Sequence, residues 1–215
     1  MRLLIKREPL RLILQWTQRL FFASAVLLLG YCGFVVVDAW VFQQRESRSL
    51  EHLLEDRRKA ADNDLQLRRV TSTPGLPSIV TGGLIGGLIG RLEIPRLELS
   101  VVIIEGDDSK TLRRAVGHIP ATPIPGQTGN VALTGHRDTF FRPLRKIRVN
   151  DIIVLTTLQG EYHYRVVSTR VVSPDNVAVL NASDGESLTL VTCYPFYFVG
   201  SAPSRFIVRA ERIAG

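Results

Sequence analysis

The spacing of hydrophobic and polar positions changes twice along this chain of 215 residues. Near the N-terminus, 18 consecutive uncharged and mainly apolar residues occupy positions 20–37, and the apolar character continues past Asp38. A run of this length predicts a transmembrane helix. Trp16 and Trp40 lie 24 positions apart, about 36 Å along a helix, which suits the two interfaces of a membrane. We therefore expect residues 20–42 to be a single transmembrane anchor.

The charges around this span predict its orientation. The segment 1–19 holds five basic residues and one acid, and basic flanks favour the cytoplasmic side of a membrane. We expect a cytoplasmic N-terminus and an extracytoplasmic chain after residue 42. A cleaved signal peptide is the alternative. It is less favoured, because the apolar run exceeds a usual signal-peptide core and no small-x-small cleavage site cleanly precedes Asp38.

Two segments of different character follow the span. Residues 43–70 mix charges of both signs with leucines and contain no Gly or Pro, a pattern that predicts a solvated helical stalk. The leucine spacing is too short and irregular to indicate a coiled-coil dimer. Residues 71–90 bring six glycines and two prolines, which predict a linker.

The residue pattern from position 91 onward is typical of a β domain, which we predict to span 91–215. Short runs of strand-forming residues alternate with turn residues, at 91–97, 100–105, 130–134, 151–157, 161–172, 187–193 and 205–213. Seven or eight such strands in about 125 residues predict a closed β-barrel or a sandwich. Residues 109–116 predict a short helix, and residues 140–146 a helical turn.

Charge and composition argue against nucleic-acid binding and against a metal or organic cofactor. The formal net charge of +7 is spread along the chain, with fifteen basic and twelve acidic residues in 91–215, and no recognisable motif predicts nucleic-acid binding. The sequence shows no zinc-ligand spacing and no Gly-rich phosphate loop, so we expect neither a metal nor an organic cofactor. Calcium activation is excluded less firmly, because Glu105, Asp107 and Asp108 lie close together in the sequence. Acidic loops of this kind are usually only solvated.

The two cysteines cannot pair within one chain. Cys32 lies inside the predicted span and Cys193 lies in the exported domain, at the end of the predicted strand 187–193. A free cysteine is most often a small buried hydrophobe. An unpaired thiol in an oxidising compartment, however, is exposed to oxidation unless it has an intermolecular or reactive role. Cys193 is therefore a candidate nucleophile.

Four histidines are candidates for the base that a thiol nucleophile requires. His136 leaves the end of predicted strand 130–134, the same kind of position that Cys193 occupies, where an imidazole can favour the thiolate and protonate a leaving amine. His118 competes from another loop. His163 lies inside a strand pattern and His52 in the stalk, so neither is well placed.

A cation that polarises an acyl oxygen is the third expected group. In the last predicted strand, a period of two places Arg205 and Arg209 on one face. Arg205 is nearer the start of its strand, and so nearer the end of an antiparallel neighbour that carries Cys193. We expect Arg209 to form a salt bridge with a solvated neighbour.

These residues resemble a known family. TLVTC at 189–193 matches the Thr-Leu-x-Thr-Cys motif of the sortases without a departure, and TGHRD at 134–138 resembles their histidine segment. Arg205 follows the cysteine on the last strand, as the sortase arginine does. The likeness covers about residues 90–215 and is nearest to class D, with classes C and E less favoured. The aromatic run 194–198 departs from the family pattern.

The resemblance implies a mainly β fold, an eight-stranded sortase-type barrel with short helices. It also implies a cysteine transpeptidase that cleaves an LPxTG-like C-terminal sorting signal of exported proteins. Cys193 would form the thioacyl enzyme, His136 would protonate the departing glycine, and Arg205 would stabilise the oxyanion. Thr192 would line the substrate groove. An amine acceptor such as peptidoglycan would resolve the thioester.

Two other classes remain as alternatives. A different membrane-anchored cysteine acyltransferase, such as an L,D-transpeptidase, normally carries a Ser-His-Gly-Cys segment, which is absent here. An anchored β-barrel binding module without activity is the non-enzymatic alternative, and retention of all three catalytic residue types disfavours it.

Overall fold

The computed structural model describes residues 7–70, 87–198 and 200–213. Within these residues, two α-helices and eight strands form in the order α1 (Arg7–Val70), β1 (Leu88–Ile94), β2 (Leu99–Glu105), α2 (Ser109–Leu112), β3 (Val116–His118), β4 (Asn130–Thr134), β5 (Ile152–Thr157), β6 (Glu161–Val172), β7 (Ser187–Tyr194) and β8 (Ser204–Arg212). Short 3₁₀ helices lie at Pro95–Leu97, Arg142–Lys146 and Val177–Leu180.

The eight strands close into a barrel in the order β1-β2-β3-β4-β7-β8-β6-β5, and β5 pairs with β1. Most neighbours are antiparallel, but β2 pairs with β3 and β4 pairs with β7 in parallel. The predicted eight-stranded barrel with short helices is confirmed, and the sandwich alternative is excluded. The parallel pairing of β4 with β7 brings the ends of two strands from distant sequence segments to one rim of the barrel.

Alternation of side chains fills the barrel interior. In β7 and β8, Leu188, Leu190, Val208 and Ala210 are fully buried in the main core, so the residues between them lie on the outer face. The same core contains Leu92, Ile94, Val131, Leu133, Phe141, Ile153, Leu155, Tyr164 and Val166. A barrel of eight strands is just narrow enough for side chains to fill it, so its interior serves as packing and chemistry is left to the rim and outer face.

One strand differs from the sequence prediction. Residues 109–116 were expected to form one helix, but α2 ends at Leu112 and Val116 begins the three-residue strand β3. Asp108 caps α2 by accepting hydrogen bonds from the backbone of Lys110 and Thr111. The strand was missed because three residues are too few for a period of two to be recognised, and β3 exists only through its pairing with β2 and β4.

The N-terminal part of α1 is apolar and uncovered. Leu14–Asp56 contains a stretch long and apolar enough to cross a membrane, and the side chains of residues 14–37 are exposed. Large apolar side chains that face outward on all sides of a helix are typical of a membrane span. This helix is a candidate anchor, in agreement with the predicted span at 20–42.

The later part of α1 belongs to the same compact unit as the barrel, Phe42–Gly215. Leu50 is 1% exposed and packs with Leu88 and Val102. Gln43 accepts a hydrogen bond from the backbone N–H of Val102 at 2.9 Å and donates to the carbonyl of Arg114. The expectation of a solvated stalk is therefore wrong for the face of this helix that carries Leu50 and packs on β1 and β2.

The predicted linker at 71–90 lies largely outside the described residues. Its last residues are described, and Leu88 already begins β1. Gly90 suits this position because a Cβ there would lie 2.2 Å from the carbonyl oxygen of Thr156 on the neighbouring strand. The barrel therefore begins three residues earlier than the sequence pattern indicated.

Candidate active site

Cys193 lies one residue before the end of β7, on the outer face of the barrel. Leu188 and Leu190 point inward, so the alternation of the strand directs Val191 and Cys193 outward. The thiol is half-buried and free. A thiol at a strand end, partly accessible and without a disulfide partner, can meet a substrate carbonyl while its backbone stays fixed in the sheet.

Arg205 lies directly opposite Cys193 on the antiparallel neighbour β8. Residues paired in this way have Cβ atoms about 4.5–5.5 Å apart on the same face of the sheet. The guanidinium is half-buried, and Nη1 donates to the carbonyls of Ser204 at 3.1 Å and Ala202 at 3.3 Å. The strand pairing therefore places Arg205 opposite Cys193 on the neighbouring strand.

His136 leaves the end of β4, the parallel neighbour of β7 on the other side. The N–H of Gly135 donates to the carbonyl of Val191 at 3.2 Å, and the side-chain hydroxyl of Thr192 donates to the carbonyl of Gly135 at 2.8 Å. Two hydrogen bonds thus tie the residue before His136 to the two residues before Cys193. His136 is exposed and stands at the same rim as the thiol.

Gly135 permits this attachment for a steric reason. A Cβ at this position would lie 2.9 Å from the ring of Phe141, which is fully buried beneath the loop. The backbone N–H of Phe141 donates in turn to the carbonyl of His136 at 3.1 Å. The loop that carries the histidine is therefore packed from below and hydrogen-bonded on both sides.

Thr192 does not have the predicted position. It is 2% exposed, and its hydroxyl is engaged by the Gly135 carbonyl. Its side chain points away from the outer face that carries Cys193, because adjacent strand residues alternate. The expectation that Thr192 lines the substrate groove is therefore corrected: the residue connects β7 to the His136 loop.

Arg137 is a site feature that the sequence reasoning missed. The residue is 6% exposed, and its side chain donates to the carbonyls of Pro195 at 2.6 Å and Phe198 at 2.8 Å. The pKa of Arg137 is raised above its ordinary value, mainly by the hydrogen bond with Asp138, with smaller Coulombic contributions from Asp138 and Cys193. From the sequence alone, an arginine next to a loop histidine is predicted to be exposed to solvent. Only the fold shows which carbonyls surround it.

His118 is brought into the core and not to the site. It ends β3 and is 2% exposed. Its Nδ1 lies 2.8 Å from a carboxylate oxygen of Glu105, and its Nε2 lies 3.0 Å from the carbonyl of Pro123 and 3.1 Å from the hydroxyl of Thr122. Both ring nitrogens are thus occupied by internal partners, in agreement with a structural role.

The outer face of β7 and β8 carries a cavity near the thiol. Along the two strands, Cys193 and Arg205 are followed by the paired Val191 and Ile207. Ile207 is one of the residues that line a cavity of about 260 Å³, together with Arg170, Ala178, Val179, Asn181, Ala182 and Arg209. Because Ile207 lies two residues from Arg205 on β8, we refer to this cavity as the groove.

A buried polar network holds the far wall of this groove. Asn130 donates to the carbonyls of Val179 and Asn181 and accepts from Thr189 at 2.7 Å. Arg209 donates to the hydroxyl of Thr189 at 2.9 Å, and desolvation is the main cause of its lowered pKa. The expected salt bridge of Arg209 is thus replaced by a hydrogen bond to a threonine.

The aromatic run after the cysteine packs on the barrel end. The rings of Phe196 and Phe206 meet edge to face at 5.2 Å, and the ring of Tyr194 lies 6.0 Å and 6.2 Å from them. Tyr197 is exposed and accepts a hydrogen bond from Arg145 at 3.0 Å. A second cavity, of about 420 Å³, lies between this run and residues Arg145 and Lys146.

Two of the three acidic residues considered as calcium ligands make other contacts. Glu105 faces His118, and Asp108 caps α2. Within residues 7–70, 87–198 and 200–213, no three or more His, Cys, Asp or Glu side chains form a group that could hold a metal ion.

Comparison with known proteins agrees with this arrangement. A family model described as the Sortase domain matches residues 92–213. Sortase D of Bacillus subtilis (strain 168) is 30% identical over 192 residues, which cover 89% of this chain and 94% of the relative.

Solved structures give the same result. A Clostridium perfringens sortase D5 transpeptidase is 32% identical, with a TM-score of 0.55 over 59% of this chain and 79% of that chain. Sortase C1 of GBS pilus island 1 is 25% identical, with a TM-score of 0.63 over 80% of this chain and 93% of that chain. The prediction of a sortase related to class D is confirmed: by its domain match and by its similarity to Sortase D over most of its length, this chain belongs to the sortase family of cysteine transpeptidases.

Proposed function

We propose that this protein cleaves an LPxTG-like C-terminal sorting signal of exported proteins and transfers the cleaved protein to an amine acceptor such as peptidoglycan. The observation that carries this proposal is the opposition of Cys193 and Arg205 on the outer face, with the His136 loop hydrogen-bonded to the same strand. These three groups supply the nucleophile, the oxyanion donor and the acid that acyl transfer from a peptide requires.

The proposed first step is a thiolate attack. The sulfur of Cys193 attacks the Thr carbonyl carbon of the signal, and Arg205 donates hydrogen bonds to the oxyanion that forms. The carbon–nitrogen bond to glycine then breaks, and His136 gives its proton to the departing amine. The product is a thioacyl enzyme and a free glycine-led peptide.

The second step reverses the roles of the groups. An acceptor amine attacks the thioester carbonyl, loses its proton to the imidazole and forms a new amide, while the thiolate of Cys193 departs. Arg205 stabilises the second oxyanion in the same way as the first. If no amine is available, water takes its place and the outcome is hydrolysis.

The groove beyond Ile207 is our proposed site for the residues before the scissile bond. His136 must reach the leaving amine. Because β4 runs parallel to β7, His136 stands at the rim, level with or beyond Cys193. The acyl side of the peptide then extends in the opposite direction, along the wall toward Arg209. Four residues of extended chain span about 13 Å, the length of β7 from Cys193 to Thr189.

One experiment tests the function directly. The full chain in detergent is incubated with a fluorogenic LPxTG peptide, with and without an added amine, and the products are identified by mass spectrometry. We expect cleavage by the wild type, an amide product with the amine, and no cleavage by Cys193→Ala, whereas Cys32→Ala retains activity. Undiminished cleavage by Cys193→Ala refutes the mechanism, and binding without cleavage by the wild type indicates a binding module.

We propose a membrane-anchored location, with the N-terminus cytoplasmic and the barrel extracytoplasmic. The support is the excess of basic residues before the apolar part of α1. Protease added to intact spheroplasts should digest the barrel. Protection of the barrel until the cells are lysed would reverse the proposed orientation.

A further inference from the structure

Arg137 is buried between two loops that the proposed mechanism needs to hold together. One loop follows β4 and carries His136, and the other follows Cys193. The guanidinium reaches across this gap and bonds two backbone carbonyls of the second loop, those of Pro195 and Phe198. Asp138, which is exposed, holds the guanidinium from the other side with two contacts of 3.1 Å.

The geometry of an arginine is essential to this arrangement. A planar guanidinium presents several N–H donors in fixed directions, so it can bond two carbonyls and a carboxylate at once. A lysine carries the same charge on a single nitrogen. It cannot reproduce this forked set of hydrogen bonds to two carbonyls and a carboxylate, which we call the fork. The two contacts are partly buried, so the loss of a charged donor from both carbonyls costs free energy, and the loop would move to recover hydrogen bonds.

The position of Arg137 also brings a permanent positive charge to the segment that follows the thiol, since its guanidinium bonds the carbonyl of Pro195, two residues after Cys193. Cys193 is one of the smaller causes that raise the pKa of Arg137. The ionisable side chains on the elements next to Cys193 include Arg205 on β8, His136, Arg137 and Asp138 on the loop after β4, and Arg145 and Lys146 beside the aromatic run. Arg137 is more buried than the other arginines and the lysine of this set, and a buried charge is less screened by solvent than an exposed one.

We propose that Arg137 is a positioning residue for transpeptidation: it joins the His136 loop to the loop after Cys193, fixes the approach of the imidazole to the sulfur, and favours the thiolate through its charge. This proposal rests on the proposed function of Cys193 and His136. The hydrogen bonds of Arg137 go to Asp138 and to the carbonyls of Pro195 and Phe198, so its effects should appear in the rate of chemistry and in the reactivity of the thiol.

The test uses the full chain in detergent in a Cys32→Ala background, so that Cys193 is the one thiol measured. Arg137→Met removes the charge and the donors while keeping the volume, and Arg137→Lys keeps the charge but not the fork. Arg142→Met, an exposed arginine nearby on the 3₁₀ helix Arg142–Lys146, is the matched control. Three quantities are measured: the pH profile of iodoacetamide alkylation without substrate, kcat and KM for peptide cleavage, and the melting temperature.

If the proposal is correct, Arg137→Met shifts the alkylation profile to higher pH and lowers kcat at least 10-fold with little change in KM. Arg137→Lys restores the alkylation profile but not kcat, because the charge returns without the two carbonyl bonds. Arg142→Met behaves as wild type in all three measurements. The alkylation profile requires no substrate, so it remains informative even if the protein fails to cleave LPxTG peptides.

Three results overturn the proposal. The first is an alkylation profile and kcat in Arg137→Met equal to those of Arg142→Met. The second is a fully active Arg137→Lys, which would show that the fork is unnecessary. The third is loss of native fold in both Arg137 variants, since the residue would then be structural and not specific to the site.

Discussion

Cys193 and Arg205 occupy directly opposed positions on the antiparallel strands β7 and β8, both on the outer face of the barrel. The register of the two strands sets the separation of their backbones. His136 reaches the same rim from β4, the strand on the other side of β7. The three groups therefore depend on three neighbouring strands whose order is fixed by barrel closure.

The opposition of Cys193 and Arg205 predicts the result of removing the guanidinium. Arg205→Ala should lower kcat for peptide cleavage by about 10²–10³, the usual loss when one oxyanion donor is removed. Alkylation of Cys193 by iodoacetamide should continue, because the nucleophile itself is intact. Arg165→Ala, an exposed arginine on β6, is the control. A kcat equal to that of the control would exclude Arg205 from the oxyanion site.

The loop residue His136 and the strand residue His118 should respond differently to substitution. His136→Ala should lower the transpeptidation rate by about 10²–10⁴, as expected for a general acid–base group, without a large change in melting temperature because the side chain is exposed. His118→Ala should lower the melting temperature instead, because it leaves Glu105 and the Pro123 carbonyl without their partner. Kinetics and thermal melting of both variants separate these outcomes. The reverse pattern would exchange the roles of the two residues.

The contact between the helix α1 and the barrel predicts that the stalk stabilises the domain. Leu50→Ala should lower the free energy of unfolding by about 2–5 kcal/mol, the range for removing a fully buried leucine side chain. Glu55→Ala, on an exposed position of the same helix, should change it little. Thermal melting of the barrel followed by circular dichroism measures the difference. Equal melting temperatures would mean that the helix does not remain on the barrel in solution.

Asp151 predicts a pH-dependent contribution to stability. Its pKa is lowered, first by the hydrogen bond with Arg96, so the folded protein binds its proton less readily than the unfolded chain. The stabilisation is fully present above the unfolded value of about 3.9 and is lost as the pH falls through the folded value.

Asp151→Asn should consequently lower the melting temperature at pH 7, and the difference from wild type should shrink below about pH 3.9. Asp175→Asn, at an exposed position, serves as the control. Melting curves between pH 2.5 and pH 7, on the order of one-unit steps, provide the measurement. A difference that stays constant over this range would show that the ion pair with Arg96 is not its source.

The apolar helix, most of the strands and the candidate site residues can be predicted from short stretches of the sequence. The apolar run that begins α1 needs no partner to be recognised, since its length alone matches a membrane. The strand patterns at β4, β6, β7 and β8 are long enough for a period of two to appear, and the observed bounds differ from the predicted ones by at most one residue. Chain order then placed His136, Cys193 and Arg205 at strand ends, which made them candidates before any contact was known.

Other features could not be recognised locally, because they depend on what lies across the barrel. β3 is three residues long and is defined only by its neighbours. Thr192 belongs to the family motif, yet the alternation of β7 turns it inward to the Gly135 carbonyl. Leu50 lies in a charged segment for which the sequence predicts exposure to solvent. It is buried only because it packs against β1 and β2.

The sequence by itself determined the apolar helix, the β domain and the three residue types that acyl transfer requires, because periodicity and order along the chain are local properties. The tertiary structure alone decided which side chains face the thiol, since a hydrogen-bonded register converts distant positions into neighbours. Arg137 illustrates the difference. In the sequence it is one more cation in a polar loop, whereas in the fold it is buried against the carbonyls of Pro195 and Phe198, which lie more than fifty residues away along the chain.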